Sequence, residues 1–415
     1  MRIPLKLVTA PSLQRYDCTG CGECCRGRFE IVITQEDRDR IESQGWTQDD
    51  LGISPKKLFI PHGDGFKLAH RADGSCIFLQ DDNLCRIHAR HGEPAKPVAC
   101  RLYPFQYVPL GSQVRVDVRF DCIATATNHG RPITEHRADL LKLLKDVVPE
   151  SSAKLPVPPL HGSVQLTWEQ LARITESFER ILLDVSIDIT RRVAACVNLA
   201  AILRQPGVLD GQKLHDVMDA ATSEVQQDAA EFPLVREAPR ETGRMAMRQL
   251  AGIYSRYDRV GEKAQMAWRL KTAITMLHGR GMVPRLREDF PSVSFASLEE
   301  STGAPTGEAA TALERYLHVH LTSMGFFGLP FYNRSYLDGM DGLLLTYPMI
   351  CWFARIFAAG EGLTALNKEC VERAIMIVDH QHGITPLLDI PTERSRMKFL
   401  CEPGMLRSLI AWYGG

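Results

Sequence analysis

Apolar spacing along the chain follows two different periods. Over residues 1 to about 145 the apolar runs are short and extended. Gln113-Val-Arg-Val-Asp-Val-Arg-Phe120 alternates strictly, with Val114, Val116, Val118 and Phe120 apolar, which is the period of a half-buried strand. A second strand is expected at Phe29-Glu-Ile-Val-Ile33. Thr34 and Asp37 follow it as an N-cap pair, so a short helix is predicted near 35–42. From about 166 onward the period becomes helical. Thr167-Trp-Glu-Gln170 is a capping box that opens one amphipathic run from 168 to about 203. Further helices are expected near 211–230, 241–258, 262–278, 308–324, 340–359 and 364–380. In the last of these Leu366, Cys370, Val371, Ala374, Ile375 and Val378 share one face. The apolar run from Leu343 to Ala358 is broken by Pro348 and Arg355 and falls short of the ~20 residues a spanning helix needs. It reads as a buried core helix.

These elements define an α+β chain: a small Cys-rich domain with a few short strands and loops, then a larger all-α domain. Pro149, Pro156, Pro158 and Pro159 mark a linker, giving boundaries of 1–148, 149–165 and 166–415. A length of 415 residues favours two domains over one. Apolar residues at 45% and charged residues at 24% are typical of a globular protein in water, with no membrane partner expected. A formal net charge of −1 supplies no bulk basic field, which argues against a nucleic-acid partner. The first ten residues carry a short apolar run interrupted by Pro4 and Lys6, too little for a secretory h-region, so a cytoplasmic location is expected.

The cysteines change the picture most. Of 12 in the chain, eight precede residue 123, and four form the string Cys18-Thr-Gly-Cys21-Gly-Glu-Cys24-Cys25. Cys76, Cys85, Cys100 and Cys122 follow. Such density means a disulfide framework or a metal site, and a reducing compartment favours metal. Cys18, Cys21 and Cys24 have C-x2-C-x2-C spacing, which lets one loop supply three corners of an iron–sulfur cubane. The fourth ligand is open among Cys25, Cys85, Cys100 and Cys122. Eight thiolates can also build two four-thiolate zinc sites, with His88 as a substitute ligand, or hold mononuclear iron. A [4Fe-4S] cluster is the favoured cofactor. Gly20 and Gly22 suit a loop whose backbone amides must point at sulfur with unusual torsions. Arg26, Arg86 and Arg101 adjoin cysteines; Arg26 and Arg101 are candidates to offset the charge of a thiolate-ligated centre. Cys122 closes the strand pattern and should sit at a sheet end within reach of the cluster. Cys196, Cys351, Cys370 and Cys401 lie in apolar helical contexts and read as core. His380 and His382 end a helix, where imidazolium meets the negative dipole end.

Three blocks in order resemble one family: Cys18-x2-Cys21-x2-Cys24-Cys25, then Cys76-Ile-Phe-Leu79 with Cys85-Arg-Ile-His88, then Cys100-Arg-Leu-Tyr-Pro-Phe105. The pattern is that of the CxxCxxCC cysteine-cluster proteins, described as zinc- or iron-chelating. The family includes bacterial flagellin lysine N-methylases of about this length with a helical C-terminal region. Leu313-Glu-Arg-Tyr-Leu317, the apolar helix from Leu343, and 369–380 look like their closing helices. The resemblance implies S-adenosylmethionine-dependent methylation of protein lysines, flagellin-like, beside a metal centre held by the cysteines. The chain carries no glycine-rich loop after a strand, so a methyl-donor site would not be of Rossmann type. The absence of a C-x3-C-x2-C string argues against radical use of the donor.

Two further functions compete with a lysine methylase. One is a non-catalytic metal domain fused to a helical interaction domain; the other is redox sensing through the vicinal Cys24 and Cys25. Methylation needs a deprotonated amine in a desolvated channel. Tyr316, Tyr332, Tyr336 and Tyr347 are available to line one, although their ordinary role is as core residues with a hydrated hydroxyl. No catalytic residue stands out.

Overall fold

A computed structural model describes residues 6–8, 13–26, 31–63, 65–209, 213–256 and 266–415. Helix accounts for 57% and strand for 9%. Every named strand lies before residue 133, so strands and helices are segregated as the α+β pattern requires. The expected strand at 29–33 is described only in part: Val32–Ile33 is a strand, and residues 29 and 30 lie outside the described residues.

Local signals were followed closely. Thr34 Oγ1 accepts from the Asp37 amide at 3.1 Å, and the helix runs Gln35–Glu42. Thr167 caps Trp168–Leu182 by accepting from the Gln170 amide at 3.2 Å. The single run expected from 168 to 203 is instead two helices, Trp168–Leu182 and Ile189–Leu203. Asp188 starts the second, its carboxylate accepting from the Arg191 amide at 3.0 Å. No proline or glycine marks the break, so apolar periodicity alone runs straight through it.

Among the described residues, three small sheets organise the first third. Gly65–Leu68 is flanked by Val32–Ile33 and Phe59–His62. Arg15–Tyr16 pairs with Arg131–Pro132. Gln113–Val118 lies between Lys6–Val8, which runs parallel to it, and Phe105–Leu110, its hairpin partner. In that central strand Val114, Val116, Val118 and the following Phe120 are fully buried, as alternation predicts. The opposite, polar face is not solvated. Arg115 donates to the Thr322 carbonyl at 2.6 Å and Asp117 meets His320, both from the Gly307–Ser323 helix.

The described residues form two apolar cores. Residues 31–87 carry the smaller, centred on Ile41, Phe78 and Ile87. The hairpin 105–118 shares the larger core with the helices. The change of core therefore falls between residues 87 and 105, upstream of the Pro-rich 149–165. Prolines mark where backbone pairing stops, whereas core membership depends on which face an element buries. The Pro-rich stretch is packed down: the Pro159 and Leu160 carbonyls accept the Tyr336 and Leu337 amides, each at 2.9 Å. These are first-turn donors of the Tyr336–Gly360 helix that have no intrahelical partner.

That helix is the axis of the helical body. It is long and apolar enough to cross a membrane, yet 94% of its apolar window is buried in the protein, as expected of a core helix. Arg355 within it is buried and donates to the Leu298, Trp412 and Gly415 carbonyls at 2.9, 3.2 and 2.8 Å. Tyr336 and Tyr347 are fully buried and bond Thr175 and Thr190, and Tyr332 donates to the Thr385 carbonyl. Tyr316 is also buried, and Tyr332 packs half-buried against the same core.

Candidate metal centre

The cysteine string leaves the Arg15–Tyr16 strand as a loop. Gly20 and Gly22 hold left-handed torsions of φ 68° and 74°, as the loop was expected to demand. The chain then winds into one helical turn, Glu23–Arg26, with the Cys25 and Arg26 amides both donating to the Gly22 carbonyl. This turn presents Cys24 and Cys25. The Cys25 carbonyl accepts the Cys76 amide at 2.7 Å, which ties the first block to the second. Cys85 reaches the same place through a bridge pairing with Leu79, three residues after Cys76. Cys100, in the Val98–Leu102 helix, closes the group. Cys25, Cys76, Cys85 and Cys100 all border the smaller apolar core.

Sulfur chemistry follows from that placement. The Cys25 thiol interacts with those of both Cys24 and Cys76. The Cys24 contact pulls its pKa down, but the Cys76 contact and burial outweigh it and leave it at about 12. The Cys24 thiol is pushed up, first by its contact with Cys25 and then by burial, although the residue keeps an exposed edge. Burial raises Cys100, and Cys25, Cys85 and Cys24 add to the effect. Five sulfurs thus gather in one region, where burial and neighbouring thiols make deprotonation of Cys24, Cys25 and Cys100 costly. A metal ion reverses that cost, because a coordinated thiol is deprotonated. The donor set fits a zinc or iron centre. The sulfurs are not drawn into a finished shell, and among the described residues no three His, Cys, Asp or Glu side chains converge on one ion-holding point.

The remaining three cysteines are Cys18, Cys21 and Cys122. Cys18 is exposed and contacts the Tyr16 phenol, and Cys122 and Cys24 act on the same phenol, which burial and these sulfurs hold well above its usual range. Cys122 does not end the strand, which stops at Val118; it precedes the short Ile123–Ala126 helix, and burial raises its thiol. Cys21 meets the loop through its carbonyl, which accepts from Arg26 Nη1 at 2.9 Å. Arg26 also pairs with Glu23 and Asn83, while Arg101 pairs with Glu93 at 3.2 Å. Both guanidinium groups are thus engaged by carboxylate or amide oxygens. His88 is exposed on the Arg86–His91 helix. Cys196, Cys351 and Cys370 are buried in the helical body and Cys401 packs against it, as their apolar contexts implied.

One polar group escaped the sequence reading because its members are far apart in the chain. His320 Nδ1 lies 3.0 Å from Asp117 Oδ2, and its Nε2 lies 3.0 Å from Asp379 Oδ1. Asp379 Oδ2 also accepts the Phe120 and Asp121 amides at 2.6 and 3.0 Å. Beside it Asp121 pairs with Arg119, accepts from Tyr103 at 3.0 Å and lies 3.2 Å from His380 Nδ1. Tyr103 belongs to the Cys100-Arg-Leu-Tyr-Pro-Phe105 block, so that block runs from the sulfur group to this network. A polar residue at position 117 inside a buried strand was the one local hint.

Burial by itself would lower the His320 pKa; Asp117 and Asp379, by charge and hydrogen bonding, lift it to about 10. Its unfolded value is ~6.5. The stabilisation from this raised pKa is fully present below the unfolded value and lost as pH rises through about 10. Urea melts are therefore expected to show stability declining between about pH 7 and 10, with the decline abolished in His320→Gln. An unchanged pH slope in that variant would remove His320 as its cause.

Comparison with known proteins supports the metal reading for one part of the chain. Residues 17–126 match the family model named CxxCxxCC and described as "Putative zinc- or iron-chelating domain". An uncharacterized protein of the archaeon Methanocaldococcus jannaschii is 29% identical over 91 residues, covering 22% of this chain and 29% of that protein. The similarity thus spans under a third of the relative. No solved structure matches the chain. The segment that holds all eight N-terminal cysteines, residues 17–126, is the part of this protein that matches a zinc- or iron-chelating domain.

Proposed function

We propose that the cysteine domain binds a single thiolate-ligated zinc or iron ion, held by Cys24, Cys25 and Cys76 with Cys85 or Cys100 completing the set. The observation that carries this is the contact of Cys25 with both Cys24 and Cys76 on an apolar floor shared by Cys85 and Cys100. Sulfurs in direct contact suit one tetrahedral ion with metal–sulfur bonds of ~2.3 Å, whereas cubane ligands stand farther apart. The ion's chemistry here is to neutralise thiolates and tie three separate chain segments together. Elemental analysis of the untagged full chain should find about one zinc or iron per protein. Four irons with sulfide and a brown colour would overturn the single-ion reading.

A [4Fe-4S] cluster on Cys18, Cys21 and Cys24, with Cys122 as fourth ligand, is the second reading. It is favoured by the action of Cys18, Cys24 and Cys122 on one phenol, Tyr16. Cys18→Ser separates the two, since it removes a cubane ligand but none of the single-ion set. For the whole protein, the likeness of its helical region to flagellin lysine N-methylases supports S-adenosylmethionine-dependent methylation of protein lysines in the cytoplasm. Saturable binding of S-adenosylmethionine to the metal-filled protein is expected. Its absence would leave a non-catalytic metal-binding or redox-sensing domain on a helical interaction body.

A further inference from the structure

The helix Met266–His278 packs on the Glu241–Tyr254 helix and buries Met276. Arg248 fixes its last turn by donating to the Met276 and Leu277 carbonyls at 3.0 and 3.2 Å. The outer side of this helix is apolar. Leu270 is 63% exposed, Ile274 47% and Trp268 44%, and Met282, just beyond the helix, is 52% exposed. Leu270 and Ile274 stand four residues apart and so adjoin on one face, and half-buried Leu277 continues the row. Single exposed apolar residues need no explanation, but these four lie together between residues 268 and 282.

The charge around them is of one sign. From 266 to 282 the chain carries Arg269, Lys271 and Arg280 and no Asp or Glu, in a protein of formal net charge −1. Lys271, His278 and Arg280 are exposed, and no ion pair among the described residues engages them. Glu241 and Glu299, which share a cavity of about 680 Å³ with Arg280, are already held, Glu241 by Arg244 and Arg248 and Glu299 by Arg244. The complement of this face is therefore both apolar and anionic. A second copy of the chain fits poorly. It would set like charges against each other, and a contact confined to one helix ~20 Å long is small against the ~1,000 Å² of a stable interface. An anionic bilayer fits on both counts: its interface takes up the Trp, Leu and Ile side chains of a surface helix, and its phosphates attract Lys and Arg.

We propose that this face docks onto an anionic lipid surface, with Trp268, Leu270 and Ile274 entering the boundary between headgroups and acyl chains and Lys271 and Arg280 resting on lipid phosphates. The helix lies on the membrane and does not span it, since 13 residues at ~1.5 Å each fall short of the ~30 Å hydrocarbon core. Whole-chain composition averages such a face away, which is why it gave no sign of a membrane partner. The docking depends neither on which ion the cysteines hold nor on methyl transfer.

Co-sedimentation of the full-length protein with phospholipid vesicles tests this. Vesicles containing phosphatidylglycerol are expected to carry the protein down, pure phosphatidylcholine vesicles are not, and high salt should release it. Leu270→Gln should weaken binding about tenfold or more while leaving the melting temperature near wild type, because the side chain is exposed. Lys271→Gln should weaken it about fivefold. Tryptophan emission should shift to the blue on adding the anionic vesicles, and the shift should vanish in Trp268→Phe, which still sediments with them. The proposal is overturned if the anionic vesicles bind no protein, if phosphatidylcholine binds it equally well, or if binding is unchanged in both Leu270→Gln and Lys271→Gln. It is overturned as well if analytical ultracentrifugation finds a dimer that Leu270→Gln dissociates, which would assign the face to a second copy of the chain.

Discussion

Cys76→Ser should strip the metal and loosen the smaller core, the largest effect expected of any single substitution in the cysteine domain. Cys76 is buried at 4% exposure, its amide donates to the Cys25 carbonyl, and its thiol contacts that of Cys25. It is the point where the first and second cysteine blocks meet. Binding of a structural zinc ion is worth ~10–16 kcal/mol in small metal-folded peptides. Even a fraction of that is large against a total stability of ~5–15 kcal/mol. Metal per protein should fall to near zero, and limited proteolysis should begin within 31–87 while far-UV helicity largely persists, because the helices belong to the other core. Cys351→Ser is the control. That cysteine is fully buried in the Tyr336–Gly360 helix and should keep the wild-type metal content. Full metal retention in Cys76→Ser would remove it from the ligand set.

Asp379→Ala comes next in size, at a cost of ~3–5 kcal/mol, the range for breaking a buried charged pair by deleting one member. The carboxylate accepts from two strand-end amides, Phe120 and Asp121, and from His320. Alanine strands three donors, one of them charged, where the strand end meets the Gly307–Ser323 and Lys368–Gln381 helices. Asp379→Asn keeps one acceptor oxygen and should cost less. Urea denaturation of the metal-loaded protein would measure both. A loss under ~1 kcal/mol in the alanine variant would mean that this contact does not hold the junction together.

Much of the local structure was legible. Caps at Thr34 and Thr167 are encoded within four residues, and the Val114–Val116–Val118 alternation within five, so no distant partner was needed to read them. The break at 183–188 was not legible, because Asp188 caps a helix without any residue forbidding the preceding turn. For the sulfur group, the chain order of the blocks made a common site plausible, but not its membership. Tight spacing pointed to Cys18, Cys21 and Cys24, whereas the Cys25 thiol interacts with those of Cys24 and Cys76. Sequence spacing measures reach along one loop; contact depends on where the 76–85 segment folds back.

The amino-acid order alone determined the segregated α+β architecture, the burial of the Leu343–Ala358 run and the presence of a thiol-rich domain, because each follows from periodicity or from residues close together in the chain. Only the tertiary structure decided that the 105–118 hairpin shares the helical core, and that Asp117, His320 and Asp379 meet in one network. These groups are separated by 203 and 59 residues. Their pairing is set by how the strand, the Gly307–Ser323 helix and the Lys368–Gln381 helix pack, a global balance of buried surface and buried charge that no local stretch of sequence specifies.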